Sequence, residues 1–217
     1  MWQHFQGIEI EASNDIFDDK IVNLMDFNCD QKNDVHFFYT LPFSKNTALI
    51  ETTWLSDLED PSLMNYDLQL ENYIKNNLGI KNYKINFIEK GTIPLFCPNF
   101  KNDGKIINIG SAGGMTRLST GYTFLNLQEH SKYIVKYIDT IGKTKAYNIG
   151  RKYQLLDKIF LKVLENHPEK MPNIFFNMFK TSSTTAIKFL SNKSNVFEDI
   201  NIISKMPKLI FMKALFY

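Results

Sequence analysis

The sequence predicts an α+β protein in which an antiparallel sheet comes first and helices follow. Three observations lead to this fold class. The first third of the chain alternates apolar and polar residues between polar turns, as in a sheet with one covered face. A short strand, a glycine-rich loop and a helix follow in that order, and the chain after Gly150 has helical periodicity in short segments.

The first predicted domain, residues 1–95, consists mainly of strands. Short polar connections between its first four strands favour a meander. A helix over Tyr66–Asn77, stopped by Gly79, and a strand over Tyr83–Ile88 complete it. The four strands are predicted at approximately Gln3–Ile10, Lys20–Phe27, Val35–Leu41 and Thr47–Trp54.

Two further domains are predicted, at 96–149 and 150–217. Prolines near residue 96 end regular pairing and mark the passage out of the sheet. The middle domain contains a strand over Lys105–Ile109 and a helix from about Ser119 to Asp139. The last domain is a helical cap, broken at His167-Pro168, Met171-Pro172, residues 181–185 and Met206-Pro207.

Composition excludes several classes of protein. A length of 217 residues with 44% hydrophobic and 22% charged residues is typical of a globular chain with a sizeable core. A net charge of +2 gives no attraction to nucleic acid. Cys29 and Cys97 have neither zinc-site nor disulfide-framework spacing, so no metal is expected and a reducing cytosol fits best. The 18 Phe suit either a large apolar ligand or a Phe-rich core.

The glycine loop GSAGGMTRLSTGY begins at Gly110. Glycines between a strand and a helix let a ligand approach the backbone and direct N–H groups and the helix dipole at an anion. The loop lacks GxGxxG spacing, so a tight turn that packs the helix on a sheet is the alternative.

Four stretches, in order, resemble the lycopene cyclases, a branch of the flavoprotein monooxygenase superfamily. The stretch LMDFN (24–28) is similar to the family's MDxR-type motif, with Asn28 in place of Arg. The stretch FFYTLPFSKNTALIETTWLS (37–56) resembles the segment that carries the cyclisation glutamate, here Glu51. The other two are EKGTIPLF (89–96), similar to ExGxIPM, and the glycine loop, similar to GxxGGMxxPSTGY with Leu118 in place of Pro.

The resemblance implies a two-domain, glutathione-reductase-like fold of which this chain is the C-terminal portion. Family members begin with a GxGxxG region that holds the ADP half of FAD, and no such motif occurs in this sequence. Reduced FAD, with NAD(P)H as reductant, is the implied cofactor. The residues implied to line it are Gly110, Ser111, Ala112, Gly113, Gly114, Met115, Thr120 and Gly121.

The activity that the resemblance implies is carotenoid β-cyclisation by an intramolecular lyase of the isomerase class. Glu51 lies in a strand whose alternation places Leu49, Glu51 and Thr53 on one face and Ala48, Ile50, Thr52 and Trp54 on the other. If the Glu51 face lines a hydrocarbon tunnel, desolvation keeps this carboxyl protonated and able to act as an acid. The alternative is a glutamate on a solvated sheet face.

Other residues are candidates for the substrate region. Met25 lies in the MDxR-like motif, Phe27, Phe38 and Trp54 are candidate aromatic linings for a carbocation, and Asp26 is a possible second carboxylate. Each is otherwise an ordinary packing or turn residue. His36 and His130 have no catalytic partner residue at a recognisable spacing in the sequence, so we interpret them as surface or core-edge histidines.

Residues 205–217 mix three lysines with large apolar side chains. This segment is expected either to lie in a membrane interface or to pack on the domain with its lysines outward. No apolar run reaches the roughly 18 residues of a membrane span. The expected location is the cytoplasm, peripheral to the inner face of the membrane, with lycopene or a related carotenoid as partner.

Two other functions stay open on the sequence. A flavin monooxygenase or prenyl reductase of the same superfamily would consume reduced cofactor stoichiometrically. A chain without the GxGxxG region is also compatible with a non-catalytic protein that binds carotenoid or lipid.

Overall fold

The computed structural model describes residues 1–96, 107–140 and 147–216. The chain divides into two compact units, Met1–Ile93 and Pro94–Tyr217. The boundary between them lies close to the predicted one near residue 96, and the further division at residue 150 stays a prediction. The fold class is mixed α+β with an antiparallel sheet, as the sequence predicts.

The first unit is built on a five-stranded sheet in the order β2-β3-β4-β1-β5. The meander prediction is wrong, because β1 pairs with β4 rather than with β2. Long antiparallel registers join β1 to β4 and β4 to β3, so β4 lies at the centre of the sheet. The strands are β1 (Trp2–Ala12), β2 (Asn23–Asp26), β3 (Val35–Pro42), β4 (Thr47–Ser56) and β5 (Tyr83–Pro94).

Strand β2 is shorter than the predicted Lys20–Phe27. Met25 has φ of 59°, in the left-handed region, and the pairing with β3 shifts register between Asn23 and Asp26. An irregularity of this kind interrupts the ladder. The apolar residues before it, Ile21 and Val22, are exposed.

One helix covers one face of the sheet. Helix α1 (Tyr66–Asn72) continues as a π-helical turn over Tyr73–Asn77, and Gly79 ends it with φ of 71°. The predicted helix and its glycine stop are therefore confirmed. The core between helix and sheet contains the buried residues Ile8, Ile10, Ala12, Phe38, Ile50, Leu70, Tyr73, Ile74 and Ile80.

The described part of the second unit is helical, and two predictions about its beginning need correction. Residues 105–106 lie outside the described residues, and 107–109 are irregular rather than a strand. The helix predicted from Ser119 begins at Phe124, since Arg117 N–H donates to the Tyr122 carbonyl and this turn delays it. The helices are α2 (Phe124–Tyr137), α3 (Arg151–Asn166), α4 (Met171–Phe179), α5 (Ser183–Leu190), α6 (Val196–Ile203) and α7 (Lys208–Ala214).

Two predicted helix breaks, at His167-Pro168 and Met206-Pro207, agree with these bounds. The break predicted over residues 181–185 is only partly right, because Ser182 caps α5 and this helix already begins at Ser183. Helix α3 ends before His167-Pro168, and α7 begins after Pro207. Pro172 lies in the first turn of α4, where its missing N–H is tolerated, so it starts this helix rather than interrupting it. Within the described residues, none of the helices combines the length and apolarity that crossing a bilayer requires.

Candidate active site

Glu51 lies at the middle of β4, between Gly7 of β1 and Tyr39 of β3 in the register of the sheet. The predicted alternation is confirmed. Ile50 belongs to the core under α1, and Thr52 and Trp54 both donate hydrogen bonds to Gln69 of that helix. The Glu51 side chain therefore projects from the opposite face of the sheet.

The environment of Glu51 favours its protonated form. The pKa of this carboxyl is raised to about 7, and burial is the largest cause. A hydrogen bond from Thr53 lowers the pKa, and the charge of nearby Glu89 raises it by a smaller amount. The Thr53 hydroxyl donates to Glu51 Oε1 at 2.6 Å. A carboxyl with this pKa is half protonated near neutral pH and can act as a general acid.

Gly7 gives Glu89 the space to reach this region. A Cβ atom on Gly7 would lie 3.0 Å from Glu89 Oε1 and 3.2 Å from Leu49 Cδ1. The Glu89 carboxyl therefore lies over Gly7, which is the residue that pairs with Glu51. The sequence assigned Glu89 no role, although it begins the EKGTIPLF motif. The glycine at position 7 is the sequence feature that indicates this contact. It can be interpreted in this way only when the strands that pair with β1 are known.

Aromatic rings lie beside Glu51 on the neighbouring strand β3. Tyr39 pairs with Glu51 across the strands, and burial followed by the charge of Glu51 raises the pKa of its phenol. The Phe37 ring makes edge contacts with Tyr39 at 5.2 Å and with Phe27 at 5.6 Å between centroids. We call this surface the acid face; it comprises Phe5, Gly7, Phe37, Tyr39, Glu51, Thr53 and Glu89.

Two predicted substrate residues lie on the other side of the sheet. Phe38 is 2% exposed and stacks on Tyr73 at 4.0 Å, and Trp54 is 1% exposed and stacks on His36 at 3.8 Å. Both therefore pack in the core under α1 and do not line the acid face. Of the three aromatic candidates, only Phe27 reaches that face, through Phe37.

Met25 and Asp26 form part of the irregular end of β2. The Asp26 carboxylate accepts hydrogen bonds from the Tyr73 hydroxyl at 2.7 Å and from the Asn28 backbone N–H at 2.9 Å. These contacts tie the turn after β2 to the π-helical turn. They give Asp26 a structural role and do not bring it to Glu51.

Two buried histidines belong to polar networks under α1. His36 Nδ1 donates to the Asp30 carbonyl at 2.9 Å, and its Nε2 lies 2.8 Å from the Thr52 hydroxyl. His4, which the sequence did not single out, lies between Tyr66 and Ser56 at 2.6 and 2.8 Å. Burial lowers the pKa of each imidazole to about 4, so both are neutral core residues at neutral pH.

The glycine loop folds as a series of tight turns. Gly110, Gly114 and Gly121 have φ of 60°, 74° and 68°, values that favour glycine. A Cβ on Gly113 would lie 2.6 Å from the Asn108 carbonyl oxygen, so this position also requires glycine. Because α2 begins only at Phe124, the glycines do not form its first turn, and the expected alignment with the helix dipole is wrong.

The N–H groups of the loop differ in availability. Those of Gly113, Gly114 and Met115 donate to carbonyls of residues 109–111. The N–H groups of Ser111 and Ala112 have no acceptor in the described ranges. A Cβ on Gly114 would meet nothing within 4 Å, so the backbone there has open space beside it. Two available donors next to open glycine backbone fit the flat, hydrogen-bonding ring of a flavin.

Arg117 holds the loop in the second unit, and sequence reasoning missed it. This fully buried guanidinium forms an ion pair with Asp157 of α3 at 2.7 Å and donates to the Phe189 carbonyl at 2.6 Å. Asp157 also accepts from Leu118 N–H and from the Ser119 hydroxyl. The sequence feature that could have identified Arg117 is the presence of an arginine inside a glycine-rich loop. Its partner lies 40 residues away and could not be read from spacing.

His130 lies on α2, 6% exposed, and its Nδ1 has no hydrogen-bond partner within the described residues. Its ring stacks on Tyr147 with centroids 5.4 Å apart, and burial lowers its pKa. These features agree with a histidine of the domain core.

One comparison with known proteins identifies the family, and another shows the fold. The family model described as lycopene cyclase protein matches residues 1–215. A solved structure of a geranylgeranyl bacteriochlorophyll reductase-like protein from Thermoplasma acidophilum is similar, with a TM-score of 0.50 and 12% identity. That alignment covers 98% of this chain and 54% of the other, so the chain spans about half the length of this relative. No curated protein matches the sequence.

Proposed function

The chain belongs to the lycopene cyclase family, and from this membership we propose that it takes part in carotenoid β-cyclisation. The reaction is the flavin-dependent, redox-neutral closure of a linear end of lycopene, or of a related carotenoid, to a β-ionone ring. The observation that carries the proposal is Glu51, a carboxyl with a pKa raised to about 7 on an aromatic sheet face.

The proposed chemistry needs one acid and no net transfer of electrons. Glu51 donates a proton to the terminal double bond of the polyene, and the neighbouring double bond attacks the resulting cation to close the ring. The ring then loses a proton to the Glu51 carboxylate, which forms the new double bond and restores the acid. Protons and electrons balance, and Glu51 regains its proton before the next cycle.

The acid face suits a cationic intermediate. Aromatic π faces stabilise positive charge, and a dry surface prevents capture of the cation by water. Tyr39 and Phe37 supply such rings beside Glu51. Glu89 adds negative charge nearby and disfavours ionisation of Glu51. Phe27 is retained as a proposed substrate contact, and Met25 and Asp26 are proposed to shape that end of the region.

The flavin is proposed to lie against the glycine loop, held by Gly110–Met115, Thr120 and Gly121. When bound in its reduced form, with NAD(P)H as reductant, it would supply electron density that stabilises positive charge or assists proton transfer. The available N–H groups of Ser111 and Ala112 and the open backbone at Gly114 support this placement.

Peripheral attachment to the inner face of the membrane through residues 205–217 completes the proposal. The apolar side chains of Leu209 and Phe216 are 76% and 87% exposed. Exposed apolar residues interleaved with lysines are typical of interfacial helices, and the proposed substrate is soluble only in a bilayer.

Pigment conversion tests the function. The chain is expressed with an N-terminal complement carrying a GxGxxG region in lycopene-producing cells. We expect cyclised carotenoid with native Glu51, none with Glu51→Gln, and undiminished conversion with Glu11→Gln on the same sheet. Equal conversion by native and Glu51→Gln proteins would remove Glu51 from the mechanism.

A prenyl reductase is the second candidate, since the fold resembles that of the reductase-like protein. This likeness concerns the fold alone. Oxidation of NADPH in proportion to product would select a reductase, whereas conversion without such consumption supports the cyclase.

A further inference from the structure

A second apolar site lies among α3–α7 of the second unit. It is a cavity of about 410 Å³, within the range of small-molecule sites. Its floor consists of buried apolar side chains, among them Phe160, Met178, Phe189, Ile202 and Met206. This lining accepts hydrocarbon and offers little to a polar ligand.

The mouth of the cavity opens to solvent between α6 and α7. Ile200, Ile203, Met212 and Leu215 line the cavity, yet each is 45–56% exposed. Residues that both line a cavity and face solvent mark its entrance. A rim of exposed apolar side chains also favours entry of an apolar molecule, because their burial against it is stabilising.

One cation at this cavity is available to an anion. Arg117 and Asp157 line the inner end, but they neutralise each other. Lys208 also lines the cavity, and it takes part in none of the ion pairs formed within the described ranges. From Ile200 to Tyr217 the sequence contains three lysines and no acidic residue. The mouth is thus apolar with a positive charge at its edge.

We propose that this cavity binds the hydrocarbon chain of an anionic amphiphile, with the carboxylate or phosphate head group paired to Lys208. The shared chemistry of the ligand is a long aliphatic chain with an anionic end, as in a free fatty acid or an anionic membrane lipid. The proposal is independent of the cyclisation chemistry, since it concerns the helices of the second unit and requires no turnover.

Oleate binding tests the cavity. The full chain is titrated with oleate by displacement of a fluorescent fatty acid, and we expect one site. Ile203→Trp, which narrows the mouth, should weaken binding by at least about tenfold. Ile187→Trp is the matched control, because Ile187 on α5 is 52% exposed, close to the 45% of Ile203, but does not line the cavity. Binding of oleate by the Ile203→Trp protein as tightly as by the native chain, at unchanged Tm, would overturn the proposal.

The head group is tested separately. Lys208→Glu should weaken oleate binding by about tenfold and leave methyl oleate, which has no charge, unaffected. Lys158→Glu on α3, outside the lining, should change neither ligand. Equal loss of both ligands in the Lys208→Glu protein would overturn the role of Lys208.

Vesicles distinguish the source of the ligand. Flotation on phosphatidylglycerol vesicles that weakens in Ile203→Trp but not in Ile187→Trp supports a bilayer lipid. Oleate binding without this dependence supports a free fatty acid. Concentration-dependent dimerisation that is lost in Ile203→Trp, without oleate binding by the native chain, would assign the mouth to a second copy and overturn the proposal.

Discussion

Glu51 shows how a single strand position sets the proton affinity of a carboxyl. The central place of β4 in the sheet buries the side chain, and loss of hydration disfavours the charged form. The Thr53 hydroxyl donates to the carboxylate and opposes this effect, but burial outweighs it. Glu89 has room to approach because Gly7 has no side chain. Its charge raises the pKa of Glu51, as burial does.

Stability against pH gives the first prediction. The pKa of Glu51 is raised from 4.5 to about 7 in the folded chain. Its contribution to the free energy of unfolding is therefore full below pH 4.5 and is lost as the pH rises through 7. The amide in Glu51→Gln does not ionise. We expect this variant to gain stability relative to the native chain from pH 5 to pH 8, by on the order of 3 kcal/mol as an upper limit.

Urea unfolding at the two pH values measures this difference, with Glu11→Gln as the control for removal of an exposed carboxylate. An equal free energy of unfolding for the native and Glu51→Gln proteins at pH 8, after correction for any difference at pH 5, would contradict the raised pKa.

Residue patterns predicted the orientation of Glu51 but not its surroundings. Period-two alternation places Glu51 opposite Ile50 whatever the partner strands are, so this part was readable from the sequence. Glu89 lies 38 residues away along the chain, and its approach depends on strand order, which alternation does not encode. Phe38 and Trp54 were assigned by residue type alone, and their own alternation places them on the other face.

At the scale of elements, local sequence signals predicted where helices and strands occur, and where they end, better than they predicted which strands pair. Gly79 and the prolines around α3, α4 and α7 act on their own neighbours, so these helix ends agreed with prediction. The start of α5 within residues 181–185 and the break between α5 and α6 were not predicted. Strand order failed because β1 pairs with β4, some 45 residues later. The late start of α2 also has a local cause, the turn closed by Arg117 and Tyr122, but the sequence signal for that turn was read as helix.

The Arg117–Asp157 pair fixes the glycine loop to α3 and gives the second prediction. Removing one partner of a buried pair leaves an uncompensated charge. We expect Arg117→Met to lower the free energy of unfolding by about 3–5 kcal/mol. Lys132→Met, which removes a 73% exposed partner of Glu129, should have a much smaller effect.

Chemical unfolding followed by circular dichroism compares the two variants. Because Asp157 also accepts from Leu118 and Ser119, the loop should become more open to proteolysis in Arg117→Met. Equal losses in Arg117→Met and Lys132→Met would show that the buried pair does not hold this region together.

For the whole molecule, the proposed membrane attachment through residues 205–217 gives a further prediction. Leu209→Asp and Phe216→Asp place charge on outward-facing positions and should abolish flotation with liposomes. Phe211 is less suitable, because its ring packs on Phe160 at 6.1 Å and its replacement would disturb the fold. Phe176→Asp, at an exposed position on α4, is the control. Unchanged flotation of the α7 variants would contradict attachment through this segment.

The central claim concerns one carboxyl with a pKa raised to about 7 beside aromatic rings, and its titration tests that claim most directly. Carbon-13 NMR of the glutamate carboxyls in the full chain, assigned by loss of one signal in Glu51→Gln, measures the pKa of Glu51. We predict a midpoint near 7 and a lower midpoint in Glu89→Gln, which removes the neighbouring charge. A midpoint at the ordinary value of 4.5, unchanged in Glu89→Gln, would contradict the account.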